Sequence, residues 1–183
     1  MSFRNTFILA IIFVLLAGFL VKMKWQGIEQ KVERIFVFNS QEVEEIRLTK
    51  DKQTIVLRKE EKEWIVSMLT KTGSARPIAD KKIVHSLLSV FDYGILDVIQ
   101  DHPKNLSDFG LDNPEFELSI KVKGDPLKTL LIGSDNPTQN SCYAKVETLP
   151  RVLLLGILYK TDLDSIFDRL YSHADGQSKM GRP

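Results

Sequence analysis

The sequence predicts an α+β fold, with one N-terminal transmembrane helix followed by a domain in which an antiparallel sheet packs against helices. Residues Phe7–Val21 are uncharged and almost wholly apolar, which indicates the transmembrane helix. The rest of the chain contains short apolar or alternating runs, typical of strands, and two stretches with apolar residues at helical spacing. The strands come in groups with single helices between the groups, which favours α+β over a doubly wound parallel sheet.

The composition is that of an ordinary globular protein. The 183 residues are 43% hydrophobic and 27% charged, with a formal net charge of +1. This near-zero charge argues against a nucleic-acid partner, because such partners usually require a strongly basic surface. The single cysteine, Cys142, excludes an internal disulfide and is predicted to be a buried, inert thiol.

Residues 1–25 are predicted to be a membrane anchor. As a helix, Phe7–Val21 covers about 22 Å, less than the roughly 30 Å hydrocarbon core of a bilayer. Lys22, Lys24 and Trp25 are the predicted membrane-boundary residues, because lysine reaches toward the headgroups and tryptophan favours the interface. Twelve of the fifteen residues in the span are Leu, Ile, Phe or Val, and together they contribute roughly −4 to −7 kcal/mol to insertion.

A cleaved signal peptide is the alternative interpretation of this segment, with Arg4 as its charged start. An uncleaved anchor is favoured, because the only small pair, Ala17–Gly18, is flanked by large residues and makes a poor cleavage site. More basic residues follow the span than precede it: Lys22, Lys24, Lys31 and Arg34. The positive-inside rule alone keeps the domain cytoplasmic, whereas a signal anchor places it outside, so charge does not settle the orientation.

A polar linker, residues 26–33, leads to the first predicted α+β unit, residues 34–110. The predicted strands of this unit are Arg34–Phe38, Glu45–Thr49, Thr54–Leu57 and Glu63–Val66. The charged run Arg58–Glu63 is interpreted as a solvated hairpin loop. A helix is predicted from its cap Asp80 to Gly94, followed by a short helical turn at Asn105–Phe109 that Gly110 closes.

The second predicted unit, residues 111–172, is weakly similar to the first, so that the domain consists of two ββ(β)α units. Its predicted strands are Phe116–Lys123, Thr129–Ile132, Cys142–Val146 and Val152–Leu155. A polar loop is predicted at Gly133–Ser141. Thr161 is predicted to open the last helix, with Asp164 completing a capping box. Residues 173–183 are predicted to be a disordered tail.

The sequence contains no recognisable catalytic or cofactor motif. The histidines do not have metal-ligand spacing, and one cysteine cannot complete a zinc site. The one candidate polar cluster consists of four residues that are close in sequence: Asp97, Asp101, His102 and Asp108. Solvated loop positions are the simpler interpretation of these residues, so the sequence predicts a non-enzymatic protein without cofactor or metal. An enzyme requires the cluster to meet in a cleft.

Several motifs resemble those of a bacterial family known as a domain of unknown function. The segment Phe109–Pro114 resembles its "YGLD-P-P" step, and Leu130–Gly133, Tyr143–Lys145 and Pro150–Leu155 resemble its "LLIG…YYAR…PRVYLV" core. Val43–Leu48, Trp64 and Asp80–Leu88 fit its opening strands and first helix, so the likeness covers roughly residues 43–170. The chain departs from the pattern at turn or packing positions: Phe109, Asn113 and Cys142.

The resemblance implies an N-terminal membrane anchor, an extracytoplasmic domain and no catalytic residues. Members are often encoded beside ABC transporters of the gliding-motility type, with a permease and a larger auxiliary membrane protein. The resemblance therefore favours a single-pass protein of the bacterial cytoplasmic membrane with its domain on the outer side.

We accordingly expect an accessory subunit of an ABC-type transport or export system that binds a membrane protein partner. Sheet edges and the loop Gly133–Ser141 are the expected contact surfaces. The alternative is a free-standing envelope domain that binds a cell-wall or lipid ligand, which requires a sizeable apolar pocket between sheet and helices.

Overall fold

A computed structural model describes residues 33–69 and 77–180, together with the helical residues Ile12, Phe13, Leu16 and Gly18. For Asp101 and residues 175–180 only the backbone is described. The predicted boundary residues Lys22, Lys24 and Trp25 lie outside the described residues. Within the described part of the chain, no helix has the length and apolar character needed to cross a membrane. The chain divides into two units, Met1–Val32 and Glu33–Pro183, and the fold below is that of the second.

The described residues form an eight-stranded antiparallel sheet with two α-helices, which confirms the α+β class. The strands are β1 (Val43–Lys50), β2 (Gln53–Glu60), β3 (Glu63–Met68), β4 (Ile95–Asp101), β5 (Phe116–Val122), β6 (Lys128–Asp135), β7 (Ser141–Val146) and β8 (Arg151–Gly156). Their order across the sheet is β3-β2-β1-β5-β6-β7-β8-β4. Because β1 pairs with β5, the regions 34–110 and 111–172 contribute to one continuous sheet.

Two helices cover one face of the sheet. They are α1 (Lys81–Val90) and α2 (Leu158–Met180). Asp80 caps α1 as predicted, since its carboxylate accepts the Lys82 N–H at 2.8 Å. The predicted apolar stripe of the last helix is buried, and it shares one core with the inward-facing strand residues. That core includes Leu163, Ile166, Phe167 and Leu170 from α2, and Ile46, Leu48, Leu118 and Leu130 from the sheet.

Two predictions at the ends of the domain are wrong. Residues Arg34–Phe38 do not form a strand: Arg34 makes an isolated bridge to Gly94, while Phe36 and Phe38 place their rings against Phe91. This apolar run therefore serves side-chain packing and not a ladder of backbone hydrogen bonds. The last helix begins at Leu158 and not at Thr161, and it continues through Met180, so residues 173–180 are helical and not a disordered tail.

Three further boundaries differ from the predictions. Arg58, Lys59 and Glu60 of the supposed hairpin loop complete β2, and only Glu61–Lys62 form the turn. The supposed polar loop Gly133–Ser141 is shorter, because β6 extends to Asp135 and β7 starts at Ser141. Helix α1 ends at Val90, ahead of Gly94. The strand β4 has no counterpart among the predicted elements.

A short turn packs on the other, helix-free face of the sheet. It is a 3₁₀ turn, Ser107–Phe109, closed by Gly110 in the left-handed conformation (φ 66°), as predicted. The Phe109 ring meets Tyr143 edge-on at 5.0 Å. At Gly133 the backbone of β6 approaches this turn so closely that a Cβ atom would lie 2.2 Å from the Phe109 carbonyl oxygen. The turn therefore covers the β6–β7 part of this face.

Replacing Gly133 with alanine should destabilise the fold by about 2 kcal/mol, because the added methyl group overpacks the contact with the turn. The matched control is Gly156→Ala in β8, where a Cβ meets nothing within 4 Å, and the expected change is within about 0.5 kcal/mol. Urea unfolding of the full-length variants measures both. Equal losses at the two positions would contradict the close approach.

Candidate interaction surfaces

The two edges of the sheet are protected to different degrees. Along β3 the outer side is paired by the segment that leads into α1. Ile65 forms a bridge with Ile78. The Val66 N–H donates to the Pro77 carbonyl at 2.9 Å, and the Ala79 N–H donates to the Trp64 carbonyl at 2.7 Å. This edge therefore presents few free backbone groups to another chain.

The edge formed by β4 is less covered. Within the described residues, only its start is paired on the outer side, where the Ile95 N–H donates to the Glu33 carbonyl at 2.9 Å. No strand in the described part of the chain pairs with the remainder of that side. The ladder between β4 and β8 is interrupted twice, between Ile95 and Asp97 and between Val98 and Gln100. The two extra residues are Leu96 and Ile99.

Both bulged residues are exposed hydrophobic side chains. Leu96 is 62% exposed and Ile99 is 42% exposed. Bulges twist an edge strand and interrupt its row of backbone groups, which discourages simple addition of another strand. A partner could therefore contact the β4 edge through its apolar side chains more readily than through backbone hydrogen bonds. We call Leu96 and Ile99 the β4 edge pair.

The helix-free face of the sheet contains a polar groove of about 460 Å³. Its floor is formed by two neighbouring cross-strand rows, set by the registers of β1, β2, β5 and β6. The rows are Thr54–Thr49–Glu117–Leu131 and Arg47–Ser119–Thr129. Its remaining lining residues are Leu69, Leu111, Asp112, Pro114, Leu127 and Glu147. We call this cavity the helix-free groove.

Hydroxyl groups pair across the floor of the helix-free groove. The Thr49 and Thr54 hydroxyl oxygens lie 3.0 Å apart, and so do those of Ser119 and Thr129. A hydroxyl both donates and accepts, so each pair keeps hydrogen-bonding capacity toward a ligand. The floor is therefore suited to polar groups.

A buried carboxylate binds two arginines beside this groove. Glu45 has an 11% exposed side chain and lies 2.6 Å from Arg47 Nε and 2.7 Å from Arg58 Nη2. Burial alone raises the pKa of Glu45, but hydrogen bonds from Arg58 and Arg47 outweigh it and hold the pKa below its ordinary value. The charge of Arg47 is thus balanced by Glu45 outside the groove.

A lysine on α2 fastens the helix to the sheet. The Lys160 side chain is 12% exposed and forms ion pairs with Asp135, at 2.7 Å, and with Glu115. Burial lowers the pKa of Lys160, but hydrogen bonds to Asp135 and Glu115 outweigh it, so the net shift is upward. A second pair, Lys50 with Asp164, joins β1 to the same helix.

The loop predicted at Gly133–Ser141 as a contact surface has an exposed tip, but hydrogen bonds within the loop hold its conformation. The Asn136 side-chain oxygen accepts the N–H groups of Asn140, at 3.2 Å, and Ser141, at 3.3 Å. Gln139 is in the left-handed conformation (φ 56°). These bonds satisfy much of the polar capacity of the loop locally, so the loop is a weaker contact candidate than the β4 edge pair.

The described members of the predicted polar cluster make local bonds. Asp97 accepts the N–H of Val98 at 2.8 Å, and Asp108 accepts a hydrogen bond from Asn105 at 2.9 Å. His102 is exposed, with a left-handed backbone (φ 54°). Within the described residues, no group of His, Cys, Asp and Glu side chains is arranged to hold a metal ion.

A cavity of about 240 Å³ lies between the helices. Its lining is mainly polar: His85, Ser86, Ser89, Tyr93, Asp162, Ser165, Ile166 and Arg169. The Tyr93 hydroxyl donates to the Asp162 carboxylate. The cavity therefore differs from the large apolar pocket that a lipid ligand requires.

The lone thiol, Cys142, is fully buried in the core, and this burial raises its pKa to about 12. We expect its reaction with a maleimide at neutral pH to be slower than that of an exposed cysteine by roughly a thousandfold, since the thiolate is the nucleophile. Concentrated urea should restore the ordinary rate. The control is an exposed cysteine, Lys62→Cys, in a Cys142→Ser background. Rapid labelling of folded wild-type protein would contradict the buried placement.

The contribution of Glu45 to stability should depend on pH. Because its pKa is lowered by folding, its stabilising effect is present above its ordinary value near 4.5 and is lost as the pH falls through the folded-state pKa. At pH 7, Glu45→Gln should cost about 1 kcal/mol, since both arginines are well exposed. The difference from wild type in urea unfolding should shrink toward pH 3. A difference that stays constant between pH 7 and pH 3 would contradict this account.

The comparisons with known proteins identify a family. The family described as "Domain of unknown function (DUF4340)" matches residues 72–171, a range that begins later than the predicted likeness and covers α1, β4 to β8 and the first part of α2. No curated protein matches the chain, and no solved structure matches it. The match covers more than half of the 183 residues and confirms the resemblance at the level of a family of unknown function. The chain therefore belongs to the DUF4340 family.

Proposed function

We propose that this chain is a non-enzymatic, membrane-anchored accessory protein that binds a partner protein through the β4 edge pair. The observation that carries the proposal is the exposure of Leu96 and Ile99 at the two bulges of an edge strand. Exposed apolar side chains grouped at a sheet edge favour burial against another protein. The anchor in this proposal is Phe7–Val21, with Lys22, Lys24 and Trp25 at its boundary.

The position of the β4 edge supports a partner in the same membrane. Glu33, the first described residue of the domain, contacts this edge through the Ile95 N–H. Its carboxylate also pairs with Arg151 of β8 at 3.0 Å. The β4 edge thus lies where the chain enters the domain from its N-terminal segment. In this proposal the edge is joined along the chain to the anchor, which favours a membrane protein as the partner.

The partner class follows from the sequence motifs. The motifs described above resemble those of one family, whose members are often encoded beside ABC transporters of the gliding-motility type. We propose that the partner is the permease or the auxiliary membrane subunit of such a transport or export system. The domain works on the outer side of the bacterial cytoplasmic membrane in this proposal.

The alternative is a free-standing envelope domain that binds a cell-wall or lipid ligand. A lipid site is normally an apolar cavity, whereas the inter-helix cavity and the helix-free groove have largely polar linings. These linings favour the partner-binding proposal over a lipid-binding one.

Co-purification from mild detergent at native expression levels tests the proposal. Wild-type protein should recover a permease and an ATPase. The double variant Leu96→Ser/Ile99→Ser should recover at least tenfold less, because each lost apolar contact is worth about 1.5–3 kcal/mol when fully buried.

The matched control is Leu158→Ser, since Leu158 at the start of α2 is 62% exposed, as Leu96 is. This control should recover the partners at the wild-type level. A clean monomer from wild-type cells, or equal losses in the two variants, would refute the proposed role of the β4 edge pair.

A further inference from the structure

We propose that the helix-free groove binds a basic, extended peptide segment of a partner protein. The groove lies on β1, β2, β5 and β6, whereas the β4 edge pair lies at the far edge of the same sheet. The two surfaces are therefore separate, and this inference does not depend on the function proposed above.

The shape of the groove suits an extended chain. Its floor crosses the strands, from Thr54 on β2 through Thr49 and Glu117 to Leu131 on β6. Neighbouring strands are about 4.8 Å apart, so this row spans about 14 Å, which matches four to five extended residues at about 3.3 Å each. The volume of about 460 Å³ falls within the roughly 300–1,000 Å³ of ligand sites.

The charge of the groove selects a cationic ligand. Asp112, Glu117 and Glu147 line it, and within the described residues none of these carboxylates forms an ion pair with a side chain. Among the described lining residues, the single cation is Arg47, and it is bound to Glu45. The groove therefore has a negative surplus that a bound lysine or arginine would neutralise.

Two nearby lysines are engaged outside the groove. The Lys145 ammonium donates to the main-chain oxygens of Val146, at 3.3 Å, and Glu147, at 2.9 Å. Lys128 pairs with Asp125 at 2.8 Å. Both ammonium groups are directed at acceptors other than the groove carboxylates.

The rest of the lining suits a peptide better than a bare ion. The hydroxyl pairs of the floor match backbone amide groups. Leu69 and Leu127 on the rim are 68% and 38% exposed, and they can pack against the aliphatic stems of lysine or arginine. Since no described group of carboxylates is arranged to hold a metal ion, the cation that fits is organic.

Fluorescence anisotropy tests the proposal with full-length protein in a non-ionic detergent. The probe is a fluorescein-labelled five-residue peptide of alternating lysine and leucine. Wild-type protein should bind it, and binding should weaken as salt screens the charges. Glu117→Gln/Glu147→Gln should weaken binding at least tenfold. Asp112→Asn, which changes an exposed residue outside the strands, should weaken it about threefold even if the double variant folds poorly.

The control variant Glu42→Gln/Glu44→Gln removes the same amount of charge from exposed positions outside the groove and should change binding less than twofold. Leu96→Ser/Ile99→Ser should also bind the peptide normally, which separates this inference from the proposed function. Three outcomes would overturn the proposal: no binding by wild type, equal binding of a glutamate-for-lysine peptide, or displacement of the peptide by spermine at a similar concentration. The last outcome would indicate a general polyamine site.

Discussion

The pairing of β1 with β5 is the interaction on which the rest of the domain depends. These strands are distant in sequence, yet their ladder runs from Val43–Val122 to Lys50–Phe116. It joins the first meander to the second, so that Ile46 and Leu48 share one core with Leu118 and Ile120. Without this ladder, two small sheets would each have to bury an apolar face alone. A sheet is stable on its own only when its apolar face is covered, for example by a helix, and the ladder lets both groups of strands share the same helices.

The helices cover only one face of this wide sheet, and this determines where the candidate interaction surfaces lie. The two helices and the strand side chains beneath them form the core, and ion pairs such as Lys160 with Asp135 hold α2 in place. Within the part of the chain that the structure describes, the opposite face receives only the short turn around Phe109, which covers part of β6 and β7. The remaining area over β1, β2, β5 and β6 is left as a polar groove. The position of one turn thus determines the extent of an accessible surface.

Local sequence patterns correctly predicted the elements whose pattern of apolar and polar residues matches the pattern of buried and exposed side chains. Phe116–Lys123 shows a clean period of two, and Asp80 gives the start of α1 an unambiguous cap. Strand β4 escaped prediction because its two bulges place Leu96 and Ile99 outside the regular alternation. The run Arg34–Phe38 was predicted to be a strand and is not one. Apolar residues indicate that side chains are buried, but they do not show whether the backbone pairs with a neighbouring strand.

The candidate surfaces could be predicted only in part. Sheet edges were expected to contact a partner, but the sequence does not show which strands are at the edges or that β3 is covered. The helix-free groove was not predicted at all. Arg47, Ser119 and Thr129 come from three strands, and only the cross-strand register brings them together. Within the described residues Glu117 forms no ion pair, and this likewise depends on the partners that the neighbouring cations already have.

The order of strands also has a consequence for synthesis of the chain. Strand β4 lies outside β8, so its partner is the last strand to be made. At roughly 5–20 residues per second, the ribosome needs several seconds to extend the chain from β4 to β8. During that interval Leu96, Ile99 and their apolar neighbours in β4 lack their partner strand β8. Chaperones that shield apolar segments could bind such a nascent chain. The sheet can be completed only after translation has passed Gly156.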